Sequence, residues 1–384
     1  MASTPFSIDR RNLLVTTLAA LGESCCPWRV AAEPSGAGLI SLDQMIGRMV
    51  VMGFKGSEPN SPGAQAVAEW LRSGLVAGVI FSDANLASPQ GAQRLTRCFR
   101  EAAAPAVPLL CVDQEGGVVV RLRAERGFEA LPAAKVVATT SPRNAELLYE
   151  RTASELRRLG FNVNFGPVVD LALNNDNPII EALGRSYGAD PEIVVRYAKA
   201  FINAHRRNHI LTALKHFPGH GSASIDSHLS LPNITGTWRR DELRPFAELA
   251  QGGYADMVMV GHLVHDELTG PGRPASLSAL AVQGLLRDRL HYAGVAVSDD
   301  MQMGALTHFF PPDECILLGI EAGIDLFIYN NRDHPDPQMP GRFHRVVKAA
   351  IDSGRLKQAR VEASFRRLRQ LERRLDSNIA WLAK

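Results

Sequence analysis

The chain has 384 residues, of which 46% are hydrophobic and 21% are charged, and its formal net charge at pH 7 is +2. This composition is typical of a globular protein with a large core and argues against a disordered or fibrous chain. The small net charge predicts no basic surface for nucleic acid, and no apolar run is long enough to predict a membrane-spanning helix. We therefore expect neither partner.

The first 36 residues are predicted to be a leader and not part of the fold. Arg10 and Arg11 precede the short apolar run LLVTTLAALG, and small residues follow near Ala31 and Ala32. This order is that of an export signal, and paired arginines before leucines favour the twin-arginine route. We expect residues 1–36 to direct the protein to the periplasm or the exterior. The alternative is a disordered or mis-annotated N-terminus on a cytoplasmic protein.

From Ser41 onward, apolar segments alternate with amphipathic ones. Seven segments are predicted to be buried strands, at 75–83, 108–117, 161–173, 210–217, 255–263, 293–301 and 324–330. Between them, stretches such as 142–160 and 190–208 place apolar residues three and four positions apart, as amphipathic helices do. The basic segment 360–375 is predicted to be a final surface helix, for which a solvated face is favoured over a nucleic-acid contact.

The alternation of buried strands and helices predicts a parallel sheet covered by helices. Seven or eight such units in about 330 residues fit a (β/α)8 TIM-type barrel better than an open sheet. No glycine fingerprint opens a helix after the first strand, which argues against a nucleotide-binding doubly wound fold. No linker divides the body, so we expect residues 37–384 to form one catalytic barrel, and we expect a monomer.

Polar residues follow nearly every predicted strand, and a barrel would gather them at its carboxyl face. They are Asp113 and Arg121 after the second strand, Asp170 and then Arg185 after the third, Lys215 and His216 after the fourth, His262 after the fifth, and Asp299 and Asp300 after the sixth. Carboxylates, amides and cations without a cofactor motif are suited to a polyhydroxylated ligand. The expected reaction is glycoside cleavage, which needs a carboxylate and a proton donor. No cofactor is expected.

The segment from Lys215 to Pro232, KHFPGHGSASIDSHLSLP, is the densest in reactive side chains. It brings Lys215, His216, His220, Asp226 and His228 into fourteen residues, and its Gly, Ser and Ala residues suit a flexible loop. For His216, clustering with Lys215 at a strand end favours ligand contact. His220 is as well explained by a role in bracing the loop.

These motifs resemble glycoside hydrolase family 3, in its β-N-acetylglucosaminidase branch, over nearly all of residues 41–376. The matching stretches are VDQEGG with Arg121, NVNFGPVVDL, NDNPII followed by GRSYG, KHFPGHG-x4-D-x-H, and LLRDRLHYAGVAVSDDM. The KHFPGHG-x4-D-x-H string is the most specific, because it separates this branch from the β-glucosidases of the family. The resemblance implies an exo-acting, retaining enzyme that needs no metal and releases β-linked N-acetylglucosamine from peptidoglycan fragments or chitooligosaccharides.

The resemblance also implies roles for individual residues. Asp299 corresponds to the nucleophile, and His228 assisted by Asp226 corresponds to the acid/base. The sugar-binding positions carry over to Asp113, Arg121, Arg185, Lys215 and His216. One departure is Gln302, which follows Met301 where relatives usually carry a small residue. A second is the apolar run 118–120 before Arg121, which leaves fine specificity open.

Three other functions remain to be weighed. The cluster of His216, His220, Asp226 and His228 could instead bind a metal in a hydrolase, although Pro218 interrupts the helical spacing of zinc motifs and Lys215 would repel a dication. A sugar-binding protein without turnover would be expected to lack Asp299 or the dyad. A phosphorylase is the nearest rival, because a histidine acid/base presents no fixed negative charge to an incoming phosphate.

Overall fold

The computed structural model describes residues 40–332 and 335–379, the last four by backbone only. The predicted leader lies outside these residues. Eight parallel strands close into a barrel in sequence order, with β8 pairing back to β1. The strands are β1 (Val50–Met52), β2 (Gly78–Phe81), β3 (Leu109–Val112), β4 (Val163–Asn164), β5 (Leu211–Phe217), β6 (Met257–Val260), β7 (Val295–Asp300) and β8 (Leu326–Tyr329). The predicted (β/α)8 architecture is therefore confirmed.

Two strands differ from the sequence-based prediction. β1 has only three residues, all buried, and none of the predicted segments includes it. The predicted strand at 161–173 contributes only Val163 and Asn164 to the ladder, with one further bridge between Val168 and Lys215. Pro167 lies between these two contacts and has no N–H to donate, so the ladder is interrupted there.

Twelve α-helices are present in the described part of the chain. They are α1 (Leu42–Gly47), α2 (Pro62–Arg72), α3 (Pro89–Ala103), α4 (Ala134–Val137), α5 (Pro142–Leu159), α6 (Pro191–Arg207), α7 (Arg244–Gln251), α8 (Asp266–Thr269), α9 (Gly304–Thr307), α10 (Pro312–Ala322), α11 (Met339–Asp352) and α12 (Gln358–Ile379). Shorter 3₁₀ turns lie at Asp83–Asn85, Ala124–Arg126, Arg240–Leu243 and Ala275–Leu277, and a π-helix lies at Leu280–Arg289. No helix among the described residues is long and apolar enough to cross a membrane.

Three long helices begin where the sequence supplies a capping residue followed by proline. Ser88, Ser141 and Asp190 precede α3, α5 and α6, and each side chain accepts a hydrogen bond from a backbone N–H of the first turn. The proline that follows each cap costs no hydrogen bond at this position, because the first N–H groups of a helix have no partner within the helix. These starts are why the boundaries of α5 and α6 agree with the predicted segments.

Three of the six arginines of α12 point inward, so the predicted solvated basic face covers only part of the helix. Arg360 and Arg367 donate to Asp325 Oδ1 at 3.0 and 3.2 Å, and Arg374 donates to Asp256 Oδ1 at 2.6 Å. Asp325 and Asp256 are buried just before β8 and β6, so the three arginines, spaced seven residues apart, fasten the last helix to the amino end of the barrel.

Candidate active site

A buried cluster of opposite charges lies on the loops after β3 and β4 and at the end of β5. Lys215 Nζ lies 2.9 Å from Asp113 Oδ1 and 2.6 Å from Glu115 Oε1. Arg185 makes a two-pronged contact with Glu115, with Nε–Oε2 at 2.7 Å and Nη2–Oε1 at 2.8 Å. Arg121 Nη2 reaches Asp113 Oδ2 at 3.2 Å. The predicted residues Asp113, Arg121, Arg185 and Lys215 therefore lie together, with Glu115 joining them.

The charges of this cluster stabilise one another in their ionised forms. Burial alone would raise the pKa of Asp113, but Lys215 and Arg121 outweigh it and lower that pKa. Burial is likewise overcome at Glu115, whose pKa is held well below its usual value by Arg185 and Lys215. The pKa of Lys215 is raised, because the two carboxylates outweigh its own desolvation. The result is a set of charged donors and acceptors that their mutual ion pairs hold in fixed positions.

Asp170 orients the histidine at the end of β5. Its Oδ2 lies 2.7 Å from His216 Nδ1, and its two oxygens also accept from the backbone N–H of His216. The N–H of His220 donates to the same carboxylate at 2.8 Å. Asp170 therefore holds the imidazole of His216 by its Nδ1, and His216 Nε2 is left facing Arg185 Nη2 at 3.4 Å.

Asp299 and Asp300 stand at the end of β7 in different surroundings. Burial would raise the pKa of Asp299, but the imidazoles of His216, His262 and His228 lower it to about 2. Burial raises the pKa of Asp300 to about 6, although its Oδ1 accepts from the backbone N–H groups of Gln302 at 3.1 Å and Asn330 at 3.0 Å. Asp299 is therefore an ionised carboxylate beside the histidines, whereas Asp300 joins the loops that follow β7 and β8.

The Asp226–His228 pair lies on the long loop after β5. Asp226 Oδ1 accepts from both the backbone N–H and Nδ1 of His228, each at 2.8 Å, so the imidazole is held by the carboxylate two residues away. The His228 side chain is 63% exposed. The loop touches the start of α9, where Ala305 N donates to Ser227 O at 3.1 Å and Gly304 N donates to His228 O at 3.2 Å. This contact brings His228 to the mouth of the barrel, and His228 and Asp300 line a cavity of about 170 Å³ there.

The base of this loop is braced by residues that the sequence analysis did not select. Glu242 is buried, and its carboxylate accepts from Gly221 N at 3.1 Å and Arg239 N at 3.2 Å. Burial raises the pKa of Glu242 to about 7. Asn177 Nδ2 donates to His220 O at 2.8 Å. The contacts of Glu242 with Gly221 and of Asn177 with His220 join parts of the chain that are distant in sequence, so no local motif identifies them.

The remaining histidines have structural partners. His220 is buried, with Nε2 3.2 Å from Ser227 Oγ, and it braces the loop. His262 is buried with Nδ1 2.7 Å from Ser276 Oγ and Nε2 3.0 Å from Asp300 O. Within residues 40–332 and 335–379, no three His, Cys, Asp or Glu side chains form a group that could hold a metal ion. The histidines of the 215–232 segment are instead divided between two separate carboxylates, Asp170 and Asp226.

Comparison with known proteins identifies a family model and several proteins that are similar in sequence to this chain. Residues 41–371 match the model of the glycosyl hydrolase family 3 N-terminal domain. The chain is 28% identical to β-hexosaminidase A of Pseudoalteromonas piscicida, over 90% of this chain and 63% of that protein. It is 35% identical to a β-hexosaminidase of Xylella fastidiosa strain M23, over 73% of this chain and 82% of that protein.

Two solved structures have the same fold. A family 3 β-N-acetylglucosaminidase from Paenibacillus sp. str. FPU-7 superposes with a TM-score of 0.81 and 31% identity, covering 88% of this chain and 64% of that one. A β-N-acetylhexosaminidase from Beutenbergia cavernae DSM 12333 gives a TM-score of 0.76 and 26% identity, covering 88% and 99%. The chain thus spans less than two thirds of the Pseudoalteromonas and Paenibacillus proteins.

Proposed function

Because the chain belongs to glycosyl hydrolase family 3, we propose that it is a retaining, exo-acting β-N-acetylglucosaminidase. The observation that carries the proposal is the pairing of an ionised carboxylate, Asp299, with a carboxylate-held imidazole, His228, at one barrel mouth. The names of the relatives, β-hexosaminidase and β-N-acetylglucosaminidase, support the choice of sugar. The proposed substrates are peptidoglycan fragments, as in cell-wall recycling, or chitooligosaccharides.

Asp299 is the proposed nucleophile. A pKa of about 2 keeps the carboxylate ionised at neutral pH, which covalent attack on the anomeric carbon requires. Asp300 is less suited, because its carboxylate is occupied by two backbone N–H groups and its pKa is raised to about 6. In this scheme Asp300 positions the neighbouring loops.

His228 is the proposed acid/base. Asp226 fixes its Nδ1, so Nε2 is the nitrogen that would protonate the departing oxygen and later take a proton from water. The resulting glycosyl-enzyme on Asp299 would be hydrolysed with retention of configuration. The exposure of His228 leaves room for the leaving group beside it.

Asp113, Arg121, Arg185, Lys215 and His216 are the proposed sugar-binding residues. Their mutual ion pairs fix donors and acceptors in advance, which lowers the entropic cost of ordering them around a ligand. Lys215 and Arg121 share the Asp113 carboxylate, so Asp113 is held to accept from sugar hydroxyls.

Replacement of His228 by Ala tests the mechanism. We expect turnover of a natural disaccharide to fall roughly 10²–10⁴-fold. An aryl glycoside with an acidic leaving group should lose much less in the first step, and azide should restore the second and yield a β-glycosyl azide. Near wild-type turnover of the disaccharide by His228→Ala would place the proton donor elsewhere and overturn the assignment of His228.

The nucleophile is tested separately. A fluorinated N-acetylglucosamine analogue should label Asp299, and Asp299→Ala should abolish labelling and lower turnover by several orders of magnitude. A label on Asp300 would overturn the assignment. Running the wild-type reaction with and without phosphate tells hydrolysis from phosphorolysis, since phosphorolysis alone yields the sugar 1-phosphate.

The cellular location follows from the leader. We propose export by the twin-arginine route, supported by Arg10 and Arg11 before the apolar run. Fractionation of source cells should find the protein outside the cytosol without its first residues. An intact N-terminus on cytosolic protein would overturn this proposal.

A further inference from the structure

A second cavity, of about 390 Å³, lies between the loops that follow β7 and β8. We call it the lateral cavity. Its apolar wall is formed by Met301, Phe310, Cys315, Tyr329 and Met339. Four of these are almost fully buried, with exposed fractions of 5% for Met301, 4% for Cys315, 3% for Tyr329 and 5% for Met339. Its volume is that of a site for a small organic group.

The lateral cavity adjoins the catalytic mouth. Gln302, Thr307 and His308 line both it and the smaller cavity that contains His228 and Asp300. A general acid stands where the leaving group departs, so the side of the mouth next to His228 is the aglycone side. The lateral cavity is therefore beyond the aglycone side of the bond to be cleaved.

The wall between the two cavities is held in place. Gln302 Oε1 accepts from the backbone N–H of Asn331 at 2.6 Å, which joins the loops after β7 and β8. Phe309, which follows His308, and Leu229, which follows His228, are large apolar residues with exposed fractions of 53% and 71%. Apolar surface is thus exposed beside the mouth, and the lateral cavity that shares Gln302, Thr307 and His308 with it is largely apolar.

The charges of the lateral cavity indicate what it would accept. Arg342 lies in its wall, but its Nε donates to Asp313 Oδ1 at 2.5 Å, and Asp336 lies in the same wall. The pKa of Arg342 is raised by its hydrogen bond to Asp313 and by the charges of Asp313 and Asp336. The two carboxylates leave no surplus positive charge to bind an anion. The apolar wall of the lateral cavity therefore favours a neutral group.

We propose that the lateral cavity binds a neutral apolar substituent of the aglycone. This proposal rests on the proposed function and adds the kind of leaving group that the enzyme prefers. A substrate whose aglycone carries an alkyl or aryl group would bury that group against Met301 and Met339. A wholly polar aglycone would leave the cavity unused.

The test compares two alkyl glycosides that differ only in apolar surface. The n-hexyl and methyl β-N-acetylglucosaminides release alcohols of nearly equal acidity, so chemistry alone predicts nearly equal rates. We expect kcat/KM for the hexyl glycoside to exceed that for the methyl glycoside about tenfold, since burial of a few methylene groups suffices for that ratio.

Two variants locate the preference. Thr307→Phe would place a ring where the two cavities meet, and Met339→Gln would place an amide in the apolar wall, so each should reduce the hexyl-to-methyl ratio at least about fivefold. Leu147→Gln is the matched control, because Leu147 is 53% exposed on α5 and lines neither cavity. The control should keep the wild-type ratio. Thermal melts check that the variants fold.

The outcomes separate the two proposals. Equal kcat/KM for both glycosides in the wild type would overturn the cavity proposal and leave the glycosidase proposal standing. A hexyl preference that both variants retain would also overturn it, because the apolar contact would then lie elsewhere. No hydrolysis of either glycoside, nor of an activated aryl glycoside, would overturn the proposed function and the cavity proposal with it.

Discussion

Replacing Lys215 by Met should destabilise the protein by about 3 kcal/mol at pH 7. Lys215 is 2% exposed, and its ammonium is shared between Asp113 at 2.9 Å and Glu115 at 2.6 Å. Removing one partner of a buried ion pair costs about 3–5 kcal/mol, because the remaining charge is left uncompensated. We expect the lower end, because Arg121 still contacts Asp113 and Arg185 still contacts Glu115.

The deficit of Lys215→Met should depend on pH in a defined direction. The pKa of both carboxylates is lowered in the wild type, so their ion pairs stabilise the fold above the ordinary values of 3.8 and 4.5, and this stabilisation is lost as the pH falls. In the variant, acid removes the uncompensated negative charge by protonation. The difference between wild type and variant should therefore be largest near pH 7 and shrink toward pH 4.

Urea denaturation at pH 7 and pH 4, followed by tryptophan fluorescence, measures both quantities. Lys135→Met is the matched control, because Lys135 pairs with Glu181 but its side chain is 62% exposed. Such an exposed pair is worth less than about 1 kcal/mol. If Lys215→Met cost no more than the control, or if its deficit were the same at both pH values, the buried cluster would not have the electrostatic role described here.

Two further predictions concern the loop that carries His228. A Cβ at Gly304 would lie 2.6 Å from His228 O, so Gly304→Ala should shift the loop and lower kcat about 10–100-fold. Gly236→Ala is the control, because a Cβ there has no atom within 4 Å and should leave kcat unchanged. Equal effects of the two substitutions on kcat would refute this prediction. The pKa of Glu242 is raised from 4.5 to about 7, so stability should fall by up to about 3 kcal/mol as pH rises through that interval. Urea midpoints for Glu242→Gln should lack that slope, and an unchanged slope would contradict the assignment.

The barrel was largely predictable because its strands and helices follow local patterns. The fully buried segment 210–217 contains β5, and a cap followed by proline marks the start of α5 and of α6. β1 was missed because three buried residues give no periodicity to read. The interruption after Asn164 depends on which N–H groups face a neighbouring strand, and only the assembled sheet determines that.

The contacts of the candidate site were likewise predictable only where they join residues that are close in sequence. The Asp226–His228 hydrogen bond joins residues two positions apart, so the sequence alone could suggest it. Glu115 was not selected as a binding residue, and its partner Arg185 is 70 positions away. Glu242 meets the backbone of Gly221 across a turn of the barrel, and a glutamate near the start of a helix is common on any surface. Contacts of this kind become visible only when strand ends meet.

The arginines of α12 bear on the order in which the chain can finish folding. Asp256 and Asp325 precede Arg360 and Arg374 in the chain, and these arginines are among their counter-charges. Before the last helix is made, Asp256 can form an ion pair with Arg206 and Asp325 with Arg287, but each carboxylate still lacks its partners from α12. A barrel in this state is less stable by the missing ion pairs. Synthesis of α12 therefore completes the charge balance of the barrel, and a chain stalled before residue 360 would remain a substrate for proteolysis or chaperones.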